Sequence, residues 1–319
     1  MNAPSIPQRK ITVVGAGYVG STCAHLCALK NLASEIVIID IVEGRPQGIA
    51  LDMNQSAVVE NFGCTVKGTN DPKDTYGSDL FIVTAGIPRK PGMSRSDLLE
   101  VNAKVVIAVS DYIRQGSPDA FVIVVTNPLD SMVTLARART GFPGARVMGM
   151  AGVLDSARFS WFIAEATKTN VLDVRAMVLG AHGDSMVPLP QYTTVNGVQL
   201  KELVPADKIA EMAKRTRNGG AEIVNLLKTG SAYYAPASSS VAMAAAILND
   251  QKRLLPVACF LNGQYGMEGI YMGVPAVLGK GGVEKILEIP LDNESRIQLN
   301  KTAGAIQADV QLLRDKKLM

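Results

Sequence analysis

Three glycines that follow a short apolar run near the start of the chain constrain its fold more than any other feature. The run from Lys10 to Val14 ends directly before Gly15, and a helical stretch rich in alanine and leucine begins after Gly20. Glycines between a strand and a helix allow a tight turn and let phosphate groups approach the backbone at the positive end of the helix. The segment predicts a strand, helix, strand unit with an anion site at its first turn.

An acidic residue extends this interpretation. Glu35 to Ile39 is predicted to be the next strand, and Asp40 stands at its end, twenty positions after Gly20. A carboxylate there can accept hydrogen bonds from the ribose hydroxyls of an adenosine, and it repels a 2′-phosphate. The pattern therefore predicts NAD rather than NADP as the cofactor. The first expected cofactor contacts are the six residues of the glycine segment: Gly15, Ala16, Gly17, Tyr18, Val19 and Gly20.

Two further runs have the composition of strands that helices cover on both faces. Asp79 to Thr84 and Ala120 to Thr126 are almost continuously apolar and rich in β-branched residues. Such runs are typical of central strands in a parallel sheet. We therefore predict an α/β fold, with a Rossmann-type doubly wound parallel sheet in the first part of the chain.

The pattern changes after about residue 150, where helical and alternating segments mix as in an α+β lobe. We predict an NAD-binding domain over residues 1–150 and a second domain over residues 151–319. The elements predicted for the second part are a helix near 155–169, strands near 172–200, a helix near 204–228 and a closing helix near 295–317.

Charge and composition argue against several classes of protein. A net charge of +3, without a basic stripe, is too balanced for a nucleic-acid-binding protein. No apolar run approaches the roughly 20 residues that span a bilayer, and the first residues are not of the secretory type, so we expect a cytoplasmic protein that does not contact membranes. The four cysteines show neither a disulfide framework nor metal-type spacing, and we expect no metal.

The chain has only two histidines, and His182 has the sequence context of a proton-transfer site. It follows a strand-like run, in the segment Leu-Gly-Ala-His-Gly-Asp, without helical periodicity. Histidine is the side chain whose ordinary pKa suits proton exchange near neutral pH. A loop histidine bonded only to backbone is the alternative. His25 lies in an apolar helical stretch and is interpreted as a packing residue.

Charged residues in two other segments are further candidates. Arg89 and Arg95 lie in a loop punctuated by proline and glycine, which follows a predicted strand at the carboxyl edge of the sheet, where ligands bind in such folds. Asp155 and Arg158 are three residues apart and share a helix face with apolar neighbours, which predicts that both are withdrawn from water. The alternatives are a solvated loop and a surface ion pair.

In their order, these motifs resemble the lactate and malate dehydrogenase family of 2-hydroxyacid dehydrogenases, over nearly the whole chain. The glycine segment is followed by Thr-Asn-Pro at 126–128, Leu-Asp-Ser-Ala-Arg at 154–158 and Gly-Ala-His-Gly-Asp at 180–184. An ordered set is far more specific than any single motif. The loop with Arg89 is similar to that of the malate-specific members in the lactate-dehydrogenase-like bacterial branch, whereas lactate-specific members usually have glutamine there.

The resemblance implies a reversible hydride transfer between (S)-malate and NAD⁺, giving oxaloacetate and NADH. His182 would be the general acid and base, oriented by Asp155. Arg158 would bind the C1 carboxylate of the substrate through two parallel hydrogen bonds. Arg89 would bind the second carboxylate, and Arg95 would polarise the C2 carbonyl once the loop closes.

The resemblance also implies that residues 151–319 are the substrate-binding, catalytic domain, and it implies further contacts and partners. Asn127 is expected to meet the substrate as well as the nicotinamide, and a cis bond is expected between Asn127 and Pro128. The partner is expected to be a small dicarboxylate, in a homodimer or homotetramer to which the alanine-rich stretch 239–248 contributes contacts. The remaining residues expected beside the cofactor are Thr84, Ala85, Gly86, Asn102 and Val125.

Three alternatives stay open at this point. The first is a lactate or other monocarboxylate 2-hydroxyacid dehydrogenase, from which Arg89 distinguishes the chain. The second is an NAD-dependent glycosidase, which would need a metal held by cysteine and histidine. The third is a module that binds NAD without turnover, which would have to explain the full set of acid, base and arginine residues.

Overall fold

The structure is a computed structural model that describes residues 6–88 and 92–319. Its helices are α1 Tyr18–Leu29, α2 Arg45–Glu60, α3 Arg95–Gly116, α4 Leu129–Thr140, α5 Gly152–Thr167, α6 Leu200–Leu203, α7 Ala206–Leu227, α8 Tyr234–Leu248 and α9 Asn293–Asp315. Its strands are β1 Lys10–Val14, β2 Glu35–Ile39, β3 Thr65–Thr69, β4 Leu80–Val83, β5 Phe121–Val124, β6 Val147–Gly149, β7 Val174–Arg175, β8 Val178–Leu179, β9 Val187–Pro188, β10 Thr194–Val195, β11 Val198–Gln199, β12 Arg253–Asn262, β13 Glu268–Gly279 and β14 Gly282–Ile286.

One nine-stranded sheet forms the centre of the described molecule, in the order β14-β13-β12-β6-β5-β4-β1-β2-β3. Strands β1 to β6 pair in parallel, in the order 3-2-1-4-5-6 of a doubly wound dinucleotide-binding sheet. This confirms the predicted Rossmann-type fold. Strands β12 to β14 continue the same sheet in antiparallel pairing, through a contact between β12 and β6.

The central strands are buried on both faces, as their apolar sequences predict. All four residues of β4 are buried, and they alternate between two core clusters. Leu80 and Ile82 pack in the cluster that contains residues of α1 and α8, whereas Phe81 and Val83 pack in the cluster that contains residues of α3 and α4. Helices therefore cover both faces of the sheet.

Residues 152–316 contain the predicted mixture of helices and strands, with small differences in bounds. The predicted helix near 204–228 is α7, which begins two residues later and ends one residue earlier, and the short helix α6 precedes it. The prediction for the alanine-rich stretch 239–248 was wrong. This part of α8 packs inside the described chain, where all but one of its ten residues are buried, so it cannot also form a subunit contact.

The topology brings two loops to the same edge of the sheet. Strand β1 lies between β2 and β4, which is the point where the chain changes direction across the sheet. The glycine segment follows β1, and the loop from Thr84 follows β4. The carboxyl ends of parallel strands flank a crevice at such a point, and this crevice is where ligands bind in doubly wound folds.

Candidate active site

The glycine segment forms an uncapped helix terminus that faces open space. Gly15 has a φ of +103°, which favours glycine, and a Cβ on Gly20 would lie 1.8 Å from the carbonyl oxygen of Gly15. Gly17 is the N-cap of α1 and no side chain hydrogen-bonds to this cap. A Cβ on Gly17 would meet nothing within 4 Å. The fold therefore requires glycine at positions 15 and 20, while Gly17 leaves space for a phosphate at the positive end of α1.

Asp40 lies beside this segment, at the end of β2. Its Oδ2 accepts a hydrogen bond from the backbone N–H of Ala16 at 2.6 Å, and its Oδ1 accepts one from Val42 at 2.9 Å. Each carboxylate oxygen can accept a further hydrogen bond. The two backbone donors hold the carboxylate next to the phosphate site, as recognition of an adenosine ribose requires. The residues thus fit a bound dinucleotide.

The loops after β4 and β5 are held together by one buried amide. Asn102 of α3 is 1% exposed and donates to the carbonyl oxygens of Asn127 at 2.7 Å and Ile87 at 3.1 Å. Its Oδ1 accepts from the backbone N–H of Ile87 at 2.8 Å. Both donors are therefore occupied, so the amide fixes the crevice wall, and a direct contact with the cofactor stays a prediction.

The other predicted crevice residues lie where the two strands end. Thr84 donates to the carbonyl oxygen of Val14 at 2.9 Å, which ties its loop to β1. Asn127 is exposed and precedes a cis peptide bond to Pro128, as expected. Ala85 and Val125 are half-buried, and Gly86 is exposed.

His182 contacts Asp155, although they are 27 positions apart in the sequence. The Nδ1 of His182 lies 3.0 Å from the Oδ2 of Asp155, and their side chains are 14% and 2% exposed. Burial lowers the pKa of His182, but the charge of Asp155 and its hydrogen bond outweigh this effect, so the pKa is raised above 6.5. Because Nδ1 is occupied, Nε2 is the nitrogen left for a substrate.

The loop that carries His182 is fixed to the central sheet. Gly180 exchanges two backbone hydrogen bonds with Gly273 of β13, at 2.9 and 3.0 Å. A Cβ on Gly273 would lie 2.5 Å from the carbonyl oxygen of Gly180. The close backbone contact therefore needs glycine at position 273, and it sets the distance of the histidine loop from the sheet.

Asp130 is a part of this site that the sequence analysis missed. Its Oδ2 accepts the backbone N–H of His182 at 3.2 Å, and its Oδ1 is buried without a hydrogen-bond partner among the described residues. Burial raises the pKa of Asp130 to about 7. The only sequence signal is an acid in the first turn of a helix, which here turns inward toward the histidine loop.

Arg158 lies on the other side of Asp155. Its Nη1 is 3.5 Å from the Oδ1 of Asp155, and its side chain is 13% exposed. Burial lowers the pKa of Arg158, with the charge of Asp155 acting in the opposite direction. Its Nε is buried and has no partner in the described structure. Such a weakly paired, partly buried guanidinium favours an additional anion. The sequence prediction that both charges are withdrawn from water is confirmed.

Two predicted substrate residues are outside what the structure describes. Arg89 lies outside the described residues. The backbone of Arg95 begins α3, but its side chain is also outside the described part. Ser94 caps this helix through a capping box with Asp97, with two hydrogen bonds of 3.0 Å.

Within residues 6–88 and 92–319, no group of three metal-ligating side chains could hold a metal ion. Nor does that part contain a helix long and apolar enough to cross a bilayer.

Comparison with known proteins decides the family. Residues 9–149 match the model of the lactate/malate dehydrogenase NAD binding domain, and residues 152–316 match that of the alpha/beta C-terminal domain of the same family. The chain belongs to the lactate/malate dehydrogenase family. The match confirms NAD as the cofactor, and membership in this family removes the NAD-dependent glycosidase from the alternatives.

Relatives in this family include malate and lactate dehydrogenases. The malate dehydrogenase of Geotalea daltonii is 51% identical over 96% of this chain and 99% of its own length. The structure of Cryptosporidium parvum malate dehydrogenase is 43% identical, with a TM-score of 0.94 over 97% of this chain and 100% of its own. The structure of the lactate dehydrogenase of that organism, complexed with lactic acid and NAD, is also 43% identical, with a TM-score of 0.93 over 97% of this chain and 99% of its own. Backbone similarity therefore does not separate the two substrates.

Substitutions at two glycines of the glycine segment should affect different properties, stability in one case and NADH binding in the other. We expect Gly20→Ala to lower the free energy of unfolding by about 2 kcal/mol or more, because the new Cβ collides with backbone. Gly17→Ala should leave stability unchanged, while it weakens NADH binding about tenfold by filling the phosphate space. Thermal denaturation and calorimetric titration with NADH measure the two effects. Unchanged NADH affinity in Gly17→Ala would place the phosphates elsewhere.

Proposed function

We propose that this chain is an NAD-dependent malate dehydrogenase, which interconverts (S)-malate and oxaloacetate. The observation that carries the proposal is the group formed by His182, Asp155 and Arg158. Asp130, which accepts the backbone N–H of His182, follows Asn127 at the wall of the crevice that fits a dinucleotide. The names of the relatives and the predicted role of Arg89 support malate over lactate. The lactate dehydrogenase from Cryptosporidium parvum, with its very similar backbone, makes lactate the second candidate.

Bound NAD supplies the acceptor for the hydride of C2. In malate oxidation, Nε2 of His182 takes the proton of the substrate hydroxyl, and in oxaloacetate reduction the same nitrogen returns it. Asp155 holds Nδ1 and stabilises the imidazolium that forms. Arg158 binds the C1 carboxylate, and this contact fixes the distance of C2 from Nε2.

The remaining roles follow from the sequence. Arg89 pairs with the second carboxylate of the substrate, and Arg95 stabilises the charge on the C2 oxygen. A substrate with a methyl group in place of the second carboxylate leaves Arg89 without a partner in a closed site, and this disfavours pyruvate. Asn127 lies at the crevice and meets both substrate and nicotinamide.

The chain is further proposed to divide near residue 150 into an NAD-binding part and a catalytic part. The two family matches meet there. Because β12 to β14 extend the sheet of the first part, the two parts share a core. A cytoplasmic location is also proposed, and the four buried free cysteines are compatible with its reducing environment.

We propose a homo-oligomer that uses α2 as a contact. Only Pro46 and Ala50 are buried in this 16-residue helix. Leu51, Val58 and Val59 are 60%, 92% and 83% exposed, and their spacing of seven and eight residues places them on one face. An apolar stripe of this kind favours burial against a second copy in a two-fold contact.

Substrate preference tests the proposed reaction. NADH oxidation should be much faster with oxaloacetate than with pyruvate, and slower with NADPH than with NADH. Arg89→Gln should lower the ratio of kcat/KM for oxaloacetate over pyruvate by about 100-fold or more, because it removes the partner of the second carboxylate. Lys90→Gln, which removes the same charge from the next position, is the control. A native preference for pyruvate would support a lactate dehydrogenase, and no turnover would support an NAD-binding module.

The raised pKa of His182 gives oxaloacetate reduction a defined pH dependence. The protonated form is required, so kcat/KM should fall as the pH rises through this pKa, above 6.5. Asp155→Asn should shift this decline to lower pH and reduce kcat by roughly 100-fold or more, since it removes the stabilising charge. Asp119→Asn, at a side chain that is 98% exposed, carries the same charge change and should alter neither. An unshifted profile in Asp155→Asn would contradict the assigned pair.

The oligomer should depend on the α2 stripe. We expect the native chain to sediment as a dimer or tetramer and Val58→Glu to dissociate it, because the carboxylate would be buried at the contact. Ile297→Glu, at a side chain on α9 that is 68% exposed, is the control for an added charge. Analytical ultracentrifugation measures the mass. An unchanged mass in Val58→Glu would exclude this face as the contact.

A further inference from the structure

Helix α7 contains an adjacent pair of glycines far from either end. Gly219 and Gly220 are preceded by 13 residues of this 22-residue helix and followed by seven. Glycine is among the least favourable residues in a helix interior, because the unfolded chain has more conformations to lose and no side chain packs. Neither residue has a positive φ, so the backbone does not require glycine at these positions.

The space above these glycines is filled by Arg158. A Cβ on Gly219 would lie 3.2 Å from Cδ and 3.6 Å from Nε of Arg158. A Cβ on Gly220 would lie 3.7 Å from Nη2 and 3.8 Å from Nη1. The two terminal nitrogens are thus almost equally far from the Cβ position of Gly220. The guanidinium therefore lies close against α7. Apart from the neighbouring backbone of α7, no other heavy atom comes within 4 Å of this Cβ position.

Among the hydrogen bonds of the described residues, one weak contact restrains the guanidinium. Its Nη1 is 3.5 Å from Asp155, and its Nε is buried without a partner. A single contact of this length does not fix the plane of a guanidinium. Bidentate binding of a carboxylate depends on that plane. The surface against which Arg158 lies must therefore supply the restraint.

We propose that Gly219 and Gly220 are positioning residues for the substrate carboxylate. They form a seat without side chains on α7, and this seat sets the depth and plane of the Arg158 guanidinium. The inference rests on the proposed function, since it takes Arg158 as the group that binds the C1 carboxylate. It assigns a role in substrate affinity to two residues that carry no functional group.

The free space above each glycine predicts how strongly a substitution there raises the KM for oxaloacetate. At 3.2 Å, a methyl group on Gly219 displaces Arg158 by a few tenths of an ångström, whereas 3.7 Å at Gly220 is an ordinary van der Waals contact. Gly219→Ala should raise the KM for oxaloacetate about tenfold with a smaller change in kcat. Gly220→Ala should raise it less, and Gly219→Val more. The affinity for NADH should not change.

A matched control separates this effect from helix stability. Gly304 lies inside α9 without a positive φ, and a Cβ there would meet nothing within 4 Å. Gly304→Ala should raise the melting temperature slightly without changing KM, because alanine favours the helix. Gly219→Ala gains the same helix preference, so a higher KM without a lower melting temperature would not be due to unfolding.

The test measures kcat and KM for oxaloacetate and the inhibition constant of malonate, a dicarboxylate that cannot be reduced. In an Arg158→Lys background, Gly219→Ala should add little, because the two changes act through one contact. The proposal is overturned if KM and the malonate constant stay within twofold in both Gly219→Ala and Gly219→Val. It is also overturned if the Gly219→Ala effect is fully additive with Arg158→Lys.

The experiments distinguish a wrong positioning role of Gly219 and Gly220 from a wrong proposed function. If the native chain reduces no 2-oxoacid, the proposed function fails. Calorimetric titration of malonate into the NADH complex then still compares Gly219→Ala with Gly304→Ala. Weaker malonate binding in Gly219→Ala alone would support the seat, and equal binding would overturn it.

Discussion

The site depends on one buried carboxylate that faces an imidazole and a guanidinium. Asp155 is 2% exposed, with His182 at one oxygen and Arg158 near the other. A buried charge is costly unless it is paired, so the partners of Asp155 are required by stability as well as by chemistry. Because the same carboxylate contacts both side chains, the imidazole proposed to transfer the proton and the guanidinium proposed to bind the substrate carboxylate lie side by side.

The central sheet converts this local group into a site beside the cofactor crevice. The histidine loop is bonded to β13 through Gly180 and Gly273, and β13 belongs to the same nine-stranded sheet as β1. The helix that begins at Leu129 places Asp130 under the His182 backbone. Elements distant in sequence therefore meet on one rigid support, which suits a reaction that requires precise distances between donor and acceptor.

Local sequence predicted the first half of the fold well. The glycine segment, the apolar strands and Asp40 each carry a short-range signal, because strand burial and turn geometry depend on neighbouring residues. The predicted strands were slightly long, since β4 ends at Val83 and β5 at Val124. The alanine-rich stretch was misassigned to a subunit contact because composition does not distinguish an interface from a core.

The sequence by itself determined the chemistry that is available: one histidine outside a helix, an acid and an arginine on one helix face, and a phosphate turn followed by an acid. Tertiary structure decided which of these groups meet. The contact between His182 and Asp155, the inward turn of Asp130 and the seat of Arg158 on Gly219 and Gly220 all join residues that lie far apart in the chain. Such contacts depend on how helices pack on the sheet, and no local pattern encodes that packing.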